Sequence, residues 1–254
     1  MKSRLGVNVD HIATLRNARG EGHPDPISYA KQIMNFGANS ITIHLREDRR
    51  HIRDEDVAIF SKIKRVPINL EMAANNEMLK IALKYKPNFV WIVPEKRNEI
   101  TTEGGLNITK NKKIITRVIN KLNSKKIRTS LFINPNIKDV FASKELNAKC
   151  VELHTGKFAL KVKNNKNYLV EFKKIKNCAM LAKKLGMEVH AGHGLDYKST
   201  KILRKIKYIE EFNIGHFIIG ESIMHGMKKV VTNFRKILNK WLLVTVLILL
   251  TIKE

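Results

Sequence analysis

Short apolar segments alternate along the chain with longer segments whose apolar residues recur at helical spacing. The strand-like segments cover residues 5–9, 40–45, 68–72, 89–93, 129–133, 150–153 and 188–191, with an eighth near 212–219. The helix-like segments cover residues 26–36, 54–64, 76–85, 111–122, 137–146, 169–185, 198–206 and 223–238. Eight strand–helix repeats without a long linker predict a single-domain α/β fold, a closed (β/α)₈ TIM barrel with extra short helices.

A doubly wound open sheet is the main alternative fold, and it usually carries a G-x-G-x-x-G turn after its first strand. The first turn here begins at Asp10 and contains no such motif. The eighth repeat has two interpretations, with the strand at 212–215 or at 217–220. We favour the first, because residues 218–227 then form the short helix whose N-terminus often binds phosphate in barrels.

The two ends of the chain bear on domain organisation and location. We assign residues 1–240 to the barrel and 241–254 to an apolar C-terminal tail of unknown role. The apolar run of the tail is shorter than the roughly 20 residues that span a bilayer, so we expect no membrane partner. No signal peptide is evident, and Cys150 and Cys178 match no metal or redox spacing. We therefore expect a cytoplasmic protein with two reduced, buried thiols.

The net charge of +25 raises the question of nucleic-acid binding. The lysines, however, are spread along the polar faces of predicted helices, and aromatic residues make up only 7% of the chain. No RNA- or DNA-binding signature accompanies them. We therefore expect no nucleic-acid partner.

Ionisable side chains concentrate at the ends of the predicted strands, where the active sites of barrels form. Glu71 lies inside an apolar strand, and a carboxyl group so placed tends to have the perturbed pKa that a general base needs. Glu152 is similar, although it could instead orient a neighbouring histidine. Asp10 could simply cap a helix, and His44 could be a core residue. Five of the nine histidines fall at strand ends: His11, His44, His154, His193 and His216.

Two loops rich in arginine follow strands 1 and 2. Phosphates or carboxylates could be bound bidentately by the basic side chains of these loops, which are Arg16 and Arg19 in the first and Arg46, Arg49, Arg50 and His51 in the second. The alternative is a solvated loop paired with Glu47 and Asp48. Gly192, Gly194 and Gly215 end strands 7 and 8, the usual phosphate site of barrels. The histidines could hold zinc, but no H-x-H or H-E-x-x-H spacing exists and arginines repel cations, so we expect no metal.

Eight segments, taken in order, resemble the pyridoxine 5′-phosphate synthase family over about residues 4–238. They include GVNVDHIATLRNARG at 6–20 and HLREDRRH at 44–51, the two longest and most specific. The others are NLEM at 69–72, VPEKR at 93–97, TTEGG at 101–105, ELHTG at 152–156, AGHGL at 191–195 and NIGH at 213–216.

The resemblance implies condensation of 1-deoxy-D-xylulose 5-phosphate with 3-amino-2-oxopropyl phosphate to pyridoxine 5′-phosphate, phosphate and water. It implies a cytoplasmic octamer of TIM barrels without metal or organic cofactor. His44 and Glu71 would be acid–base groups, His193 a proton donor, and Glu152 a transition-state stabiliser. The amino-ketone phosphate would contact Asn8, Arg19, Gly194, Gly215 and His216. The deoxyxylulose phosphate would contact Asp10, His11, Arg46, His51 and Thr101.

Another phosphate-binding barrel is the nearest alternative. An aldolase or isomerase could use Lys96 to form a Schiff base with a carbonyl substrate. A covalent adduct on Lys96 after borohydride reduction would distinguish that chemistry. A basic nucleic-acid-binding protein is the alternative from a different class, and it predicts RNA binding with a steep salt dependence.

Overall fold

The computed structural model describes residues 2–95 and 104–239. Eight parallel strands close into a barrel in chain order, which confirms the predicted fold class. The strands are β1 (Arg4–Asn8), β2 (Ser40–His44), β3 (Ile68–Met72), β4 (Phe89–Ile92), β5 (Arg128–Ile133), β6 (Cys150–His154), β7 (Glu188–Gly192) and β8 (Glu211–Ile214).

Helices surround the strands and form the outer layer. In the described ranges they are α1 (Asp10–Arg19), α2 (Pro26–Asn35), α3 (Asp54–Phe60), α4 (Asn76–Tyr85), α5 (Lys112–Ser124), α6 (Ile137–Glu145), α7 (Gly156–Lys163), α8 (Leu169–Lys184), α9 (Tyr197–Leu203), α10 (His216–His225) and α11 (Met227–Asn239).

Capping side chains explain where α2, α4, α6 and α9 begin, and the sequence patterns miss two helices. At α4, for example, the Asn75 side chain accepts a hydrogen bond from the backbone N–H of Met78. Helix α3 begins at Asp54, directly after Arg53. Helices α1 and α7 were not predicted, because each begins directly after a strand within a segment that we interpreted as a loop. The predicted helix 223–238 is in fact α11, preceded by α10, and the chain turns between them at Gly226 with φ 77°.

The eighth repeat follows the interpretation that we favoured. Strand β8 ends at Ile214, Gly215 precedes α10, and α10 begins at His216. His216 therefore stands at the C-terminal end of the barrel, which we call the mouth.

The strands separate an apolar layer from a polar interior. Alternate residues such as Ile41, Ile43 and Leu70 are buried in one continuous apolar cluster with the helices. The intervening residues point into the barrel, because the rings of Trp91 on β4 and His190 on β7 lie 5.0 Å apart although these strands are not neighbours. The main apolar core is thus the layer between strands and helices.

Ion pairs occupy the end of the barrel opposite the mouth. Arg4 donates to Glu211 over 2.6 Å and also pairs with Glu188, which accepts from Arg128 over 2.5 Å. His190 lies 2.8 Å from the same Glu188 carboxylate. These residues begin or lie within their strands, so the strand ends at the mouth remain available for a site.

The two thiols agree with the expectation from the sequence. Cys150 and Cys178 are free and buried, and burial raises their pKa values to about 11 and about 12. In residues 2–95 and 104–239, no helix combines the length and apolarity needed to cross a membrane. The predicted tail, 241–254, lies outside the described residues.

Candidate active site

His44 and Glu71 end neighbouring strands and face each other at the mouth. They are register partners across the β2–β3 pair, and Nδ1 of His44 lies 3.6 Å from Oε2 of Glu71. The His44 side chain is 10% exposed and that of Glu71 is 19% exposed, so substrate can reach both from the mouth. The two residues therefore form an imidazole–carboxyl pair.

Asp10 connects β1 to this pair. Its backbone N–H and one carboxyl oxygen bond to the side chain of Asn8, at 2.9 and 2.7 Å. Its other oxygen accepts from the backbone N–H of His44 over 2.8 Å. Asp10 thus fixes the end of β2 and does not cap α1, whose N-cap position is Val9.

Glu152 lies across the mouth on β6. Its Oε2 accepts from the side-chain amide of Asn213 on β8 over 2.7 Å, and the Glu152 carboxyl lies directly against Gly192 on β7. Glu152 is 5% exposed. A buried carboxyl group with one amide donor is held rigidly and keeps an oxygen for further bonding.

His193 follows β7 in a strained backbone conformation. Its φ is +77°, a region that residues with a side chain seldom adopt, and such strain clusters at functional sites. The Thr155 hydroxyl lies 2.7 Å from the carbonyl oxygens of both Gly192 and His193 and supports the turn. The imidazole stacks on that of His154, with ring centroids 4.7 Å apart and planes at 25°.

A second pair of imidazoles joins the first and last repeats. His11 at the start of α1 and His216 at the start of α10 have ring centroids 5.0 Å apart. Between them and β1, a Cβ on Gly215 would lie 2.8 Å from Cβ of Asn8, so only glycine fits there. His51 completes this side of the mouth, with Nδ1 3.9 Å from Oδ1 of Asp10.

Three carboxyl groups of the mouth, those of Asp10, Glu71 and Glu152, have raised pKa values. Burial raises the pKa of Asp10 to about 6, against the lowering effects of His44, Asn8 and Arg46. Burial also raises the pKa of Glu152 to about 8, although the bond from Asn213 opposes it. The pKa of Glu71 is raised well above its ordinary value, mainly by burial and in addition by the charges of Asp10 and Glu152. A raised pKa brings a carboxyl group closer to neutral pH, where general acid–base catalysis is most effective.

Four histidines of the mouth have lowered pKa values. Burial lowers the pKa of His51 and of His154 to about 4, with nearby cationic or imidazole groups adding to the effect. Burial also lowers the pKa of His193, and burial with the charge of His216 lowers that of His11. At neutral pH these imidazoles are uncharged, so each can both donate and accept a hydrogen bond.

The predicted arginine clamp is partly wrong. Arg16 lies in helix α1, not in a loop, and its guanidinium forms a buried ion pair with Asp56 at 2.6 Å. Arg50 binds Asp48, as the alternative of a self-paired loop predicted, whereas Arg49 binds the carboxylates of Asp54 and Glu77, which were not among the predicted partners. These three arginines are committed to the protein itself.

Arg46 and Arg19 differ from them. Nε of Arg46 forms no hydrogen bond in the described part of the chain and lies 3.8 Å from Oδ1 of Asp48, a loose ion pair. The charge of Arg46 also acts on the carboxyl groups of Asp10 and Glu71. Arg19 ends α1, is 76% exposed and lies 3.3 Å from Glu21. The structure therefore brings Arg46 to the mouth and leaves Arg19 on its periphery.

Three helices begin at the mouth immediately after a strand. They are α1 after β1, α7 after β6 and α10 after β8. The first backbone N–H of α1 is bound by the Asn8 side chain, whereas the residues that precede α7 and α10 provide no side-chain cap. The first turns of α7 and α10 also contain no acidic residue. Uncapped N–H groups and the positive end of the helix dipole attract anions such as phosphate.

Within residues 2–95 and 104–239, two clusters have the side-chain types that bind metal ions. Ligand atoms of Asp10, His44 and His51 lie within 4.8 Å of one another, as do those of Cys150, Glu188 and His190. Arginines stand beside both: the charge of Arg46 acts on the first, and Arg4 and Arg128 bind Glu188 in the second. A neighbouring guanidinium opposes cation binding. That the site works without metal stays a prediction.

Two residues singled out in the sequence cannot be placed at the mouth, and two residues of the mouth were not predicted as site residues. Thr101 and Lys96 lie outside the described residues. Two residues of the mouth had been noted only as members of strand-end motifs: His154, which stacks on His193, and Glu95, which contacts His44. Their position after a strand was the available signal.

The fold and the mouth together define a (β/α)₈-barrel enzyme with buried carboxyl and imidazole groups at the C-terminal ends of its strands. Comparison with known proteins then places it more closely. The chain belongs to the family described as pyridoxal phosphate biosynthesis protein PdxJ, whose profile matches residues 5–240.

Individual relatives agree with this membership. The chain is similar to the pyridoxine 5′-phosphate synthase of Pelagibacter ubique (strain HTCC1062), with 62% identity over 237 residues, 93% of this chain and 99% of the relative. It is also similar to the Zymomonas mobilis protein of the same name, with 48% identity over 236 residues, 93% of this chain and 91% of the relative. The resemblance drawn from the motifs is confirmed.

Solved structures of lower identity share the fold. A tryptophan synthase from M. tuberculosis matches with a TM-score of 0.64 and 8% identity, over 94% of each chain. A 2-keto-3-deoxy-6-phospho-gluconate aldolase from Zymomonas mobilis matches with a TM-score of 0.55 and 12% identity, over 92% of each chain. At these identities the likeness supports the barrel alone.

Proposed function

We propose that this enzyme condenses 1-deoxy-D-xylulose 5-phosphate with 3-amino-2-oxopropyl phosphate to form pyridoxine 5′-phosphate, phosphate and water. The observation that carries the proposal is the convergence of Asp10, Glu71 and Glu152 with His44 and His193 at one mouth, in a chain of this family. The relatives named above carry the name of this activity.

The reaction requires several proton transfers, and the mouth contains several groups able to perform them. Joining the amine to the ketone expels water, so the leaving oxygen must receive a proton. Loss of phosphate and closure of the ring each require removal of a proton from carbon. Carboxyl groups with raised pKa values and uncharged imidazoles can both donate and accept protons near neutral pH.

We assign Glu71 as the base and His44 as its acid–base partner, because they are adjacent and Glu71 is open to the mouth. His193 acts as a proton donor from the opposite side, and its strained backbone holds the imidazole above the ends of β6 and β7. Glu152 stabilises charge that develops between them, since Asn213 fixes its orientation.

Two phosphorylated substrates need two anion sites, and we propose one on each side of the mouth. The amino-ketone phosphate is bound by the uncapped N-terminus of α10 and by Asn8, Arg19, Gly194, Gly215 and His216. The deoxyxylulose phosphate is bound by Asp10, His11, Arg46, His51 and Thr101. The charge of Arg46, which acts on the carboxyl groups of Asp10 and Glu71 and is paired only loosely with Asp48 at 3.8 Å, supports the second assignment.

The test is to incubate purified protein with both phosphorylated ketones and to detect pyridoxine 5′-phosphate by absorbance and mass. Product should form with both substrates together, with neither alone, and equally in the presence of EDTA. Absence of product would contradict the proposal, and inhibition by EDTA that zinc reverses would contradict the metal-free mechanism. A borohydride-trapped adduct on Lys96 would instead support an aldolase or isomerase.

We further propose that residues 1–240 form one catalytic domain, with the tail at 241–254 outside it, and that the enzyme is a cytoplasmic octamer. Sedimentation equilibrium of the full chain and of a chain ending at residue 240 tests both points. An octamer in both, with equal activity, is expected. A monomer in either would contradict the assembly or the domain boundary.

A further inference from the structure

The imidazole of His44 has a second carboxylate neighbour, on the side opposite Glu71. Its Nε2 lies 3.0 Å from Oε1 of Glu95, while its Nδ1 lies 3.6 Å from Oε2 of Glu71. Glu95 follows β4, and its side chain is only 4% exposed. Each ring nitrogen of His44 therefore faces a different carboxyl group.

The two carboxyl groups differ in their ionisation. Burial, with the charges of Asp10 and Glu152, raises the pKa of Glu71 well above its ordinary value. Burial acts in the same direction on Glu95, but hydrogen bonds from His44 and from a backbone N–H outweigh it, and the pKa of Glu95 is lowered. Glu95 is thus an ionised group that can only accept hydrogen bonds at neutral pH.

An acceptor at Nε2 determines which nitrogen of neutral His44 carries the proton. The proton must lie on Nε2, where Glu95 accepts it, and Nδ1 is left with a lone pair toward Glu71 and the mouth. A carboxylate that orients an imidazole and selects its tautomer is a recurrent arrangement in acid–base catalysis.

The other oxygen of Glu95 bonds to the loop that follows β2. It accepts from the backbone N–H of Glu47 over 2.8 Å, and the Glu47 carboxylate in turn accepts from the Asn75 side chain over 2.6 Å. Arg46 is the residue immediately before Glu47. One carboxylate thus connects the ring of His44 to the loop that carries Arg46.

We propose that Glu95 is a positioning residue that sets the tautomer and orientation of His44 for proton exchange with Glu71 and substrate. This inference rests on the proposed function, in which His44 is an acid–base group. Glu95 touches no reacting atom and acts through His44.

Substitution by glutamine separates this role from support of the loop. The Glu95→Gln side chain is isosteric, and its oxygen can still accept from the N–H of Glu47. Its amide nitrogen then faces His44 and, being a donor, requires the proton of His44 to move to Nδ1. The variant should fold with an intact loop and with the wrong tautomer.

The kinetic test is a double-mutant cycle of wild type, Glu95→Gln, His44→Gln and the double variant, assayed for pyridoxine 5′-phosphate formation. Glu95→Gln alone should lower kcat by about 10²–10⁴-fold, by analogy with loss of the orienting carboxylate in a catalytic triad, with both KM values within about twofold. In the His44→Gln background it should have no further effect. Losses that multiply in the double variant would overturn the inference.

Glu171→Gln is the matched control. The Glu171 side chain is 6% exposed, close to the 4% of Glu95, and is bound by Lys157, Lys161 and Lys174 instead of by the site. The same chemical change there should leave kcat within about twofold of wild type. An equal loss of kcat in both variants would mean that removal of any buried carboxylate is sufficient, which contradicts a role through His44.

Two further measurements keep the outcome decisive. In Glu95→Gln the ¹⁵N chemical shifts of the His44 ring should show the proton moved from Nε2 to Nδ1, because an amide N–H now faces Nε2; an unchanged tautomer overturns the inference. Crystal structures without substrate test it separately from the activity. The His44 ring should bond to Glu95 in wild type and rotate in Glu95→Ala, and an unchanged ring contradicts positioning. Wild type that forms no product contradicts the proposed function instead.

Discussion

The side chain of Asn213 donates to Glu152 over 2.7 Å, a bond that joins β8 to β6 across the strand between them. The intervening residue on β7 is Gly192, and the Glu152 carboxyl lies in the space that a side chain there would fill. The orientation of the proposed transition-state stabiliser therefore depends on the absence of a single methyl group.

Substitution of Gly192 by alanine should displace Glu152 and reduce catalysis. An added Cβ would overlap Oε1 and would lie 2.9 Å from Cδ of Glu152, closer than carbon atoms approach in proteins. We expect kcat to fall at least about 100-fold, the scale of losing one preorganised electrostatic group, while the protein still folds. Steady-state kinetics and thermal unfolding of the purified variant measure the two effects.

Gly220→Ala provides the control. Gly220 lies within α10, and nothing approaches the position of its Cβ within 4 Å. Alanine there should leave kcat unchanged and stabilise the helix by about 0.5–1 kcal/mol. If Gly192→Ala retained wild-type kcat, the orientation of Glu152 would be unimportant for the reaction.

Glu71→Gln should abolish turnover and leave substrate binding largely intact. The amide is isosteric and neutral, as the protonated carboxyl is, but it cannot accept a proton from carbon. We expect kcat to fall by at least about 10²-fold, the lower end of a general-base contribution. Phosphate binding, measured by calorimetry, should change less than about threefold.

Glu145→Gln controls for loss of a carboxylate at a distance. Glu145 ends α6, and its exposed side chain pairs only loosely with Lys112 at 3.3 Å. Its kcat should equal that of wild type. Near-native turnover by Glu71→Gln would show that another group removes the proton.

The sequence predicted the barrel and the general location of its site for a simple physical reason. Parallel strands bring their C-terminal ends together, so residues far apart in sequence, such as Asp10, Glu71 and Glu152, meet if each stands at a strand end. The alternation of polar and apolar residues within a strand also indicates which side chains face the helices and which face the barrel interior. The segment Ser40–His44, for example, alternates because one face contacts the helices and the other faces a polar interior.

The pairing of charged side chains could not be predicted in the same way. Arg16 and Arg46 both stand in basic motifs after a strand, and nothing local distinguishes them. Their roles differ because α1 directs Arg16 toward Asp56 on α3, a contact 40 residues away in sequence. Glu95 was likewise recognisable as a strand-end residue, but its contact with His44 depends on the relative positions of β2 and β4 in the closed barrel.

The stability of the protein should depend on pH through Glu152. Burial raises the pKa of Glu152 to about 8 from an ordinary value of 4.5. Between these values the folded state holds a proton that the unfolded state releases, so the free energy of unfolding decreases as pH rises through the window. From pH 6 to pH 8.5 this single group should remove about 3 kcal/mol.

Urea unfolding of wild type and Glu152→Gln at pH 6 and pH 8.5 tests this sign. Glutamine has no proton to lose, so the variant should gain stability relative to wild type as pH rises. His51 and His154, whose pKa values are about 4, titrate alike in both proteins and cancel in the difference. A difference that stays constant with pH would mean that Glu152 is ionised throughout and is not an acid at neutral pH.

Arg16 and Arg46 should respond in opposite ways to substitution by alanine. The guanidinium of Arg16 binds both oxygens of Asp56, at 2.6 and 2.8 Å, and the backbone carbonyl of His51 at 3.2 Å. Arg16→Ala leaves Asp56 buried without its partner, which should lower the free energy of unfolding by about 3–5 kcal/mol. Urea unfolding measures this change.

Arg46→Ala should have its main effect on substrate. The Nε of Arg46 forms no hydrogen bond within residues 2–95 and 104–239, and its ion pair with Asp48 is long, at 3.8 Å, and half exposed, so little native structure is lost with it. Loss of a charged bond to phosphate is worth about 1.5–3 kcal/mol, so KM for 1-deoxy-D-xylulose 5-phosphate should rise at least about tenfold while the stability changes by less than about 1 kcal/mol. If Arg16→Ala raised KM without loss of stability, Arg16 would be a phosphate ligand after all, and its ion pair with Asp56 would open when substrate binds.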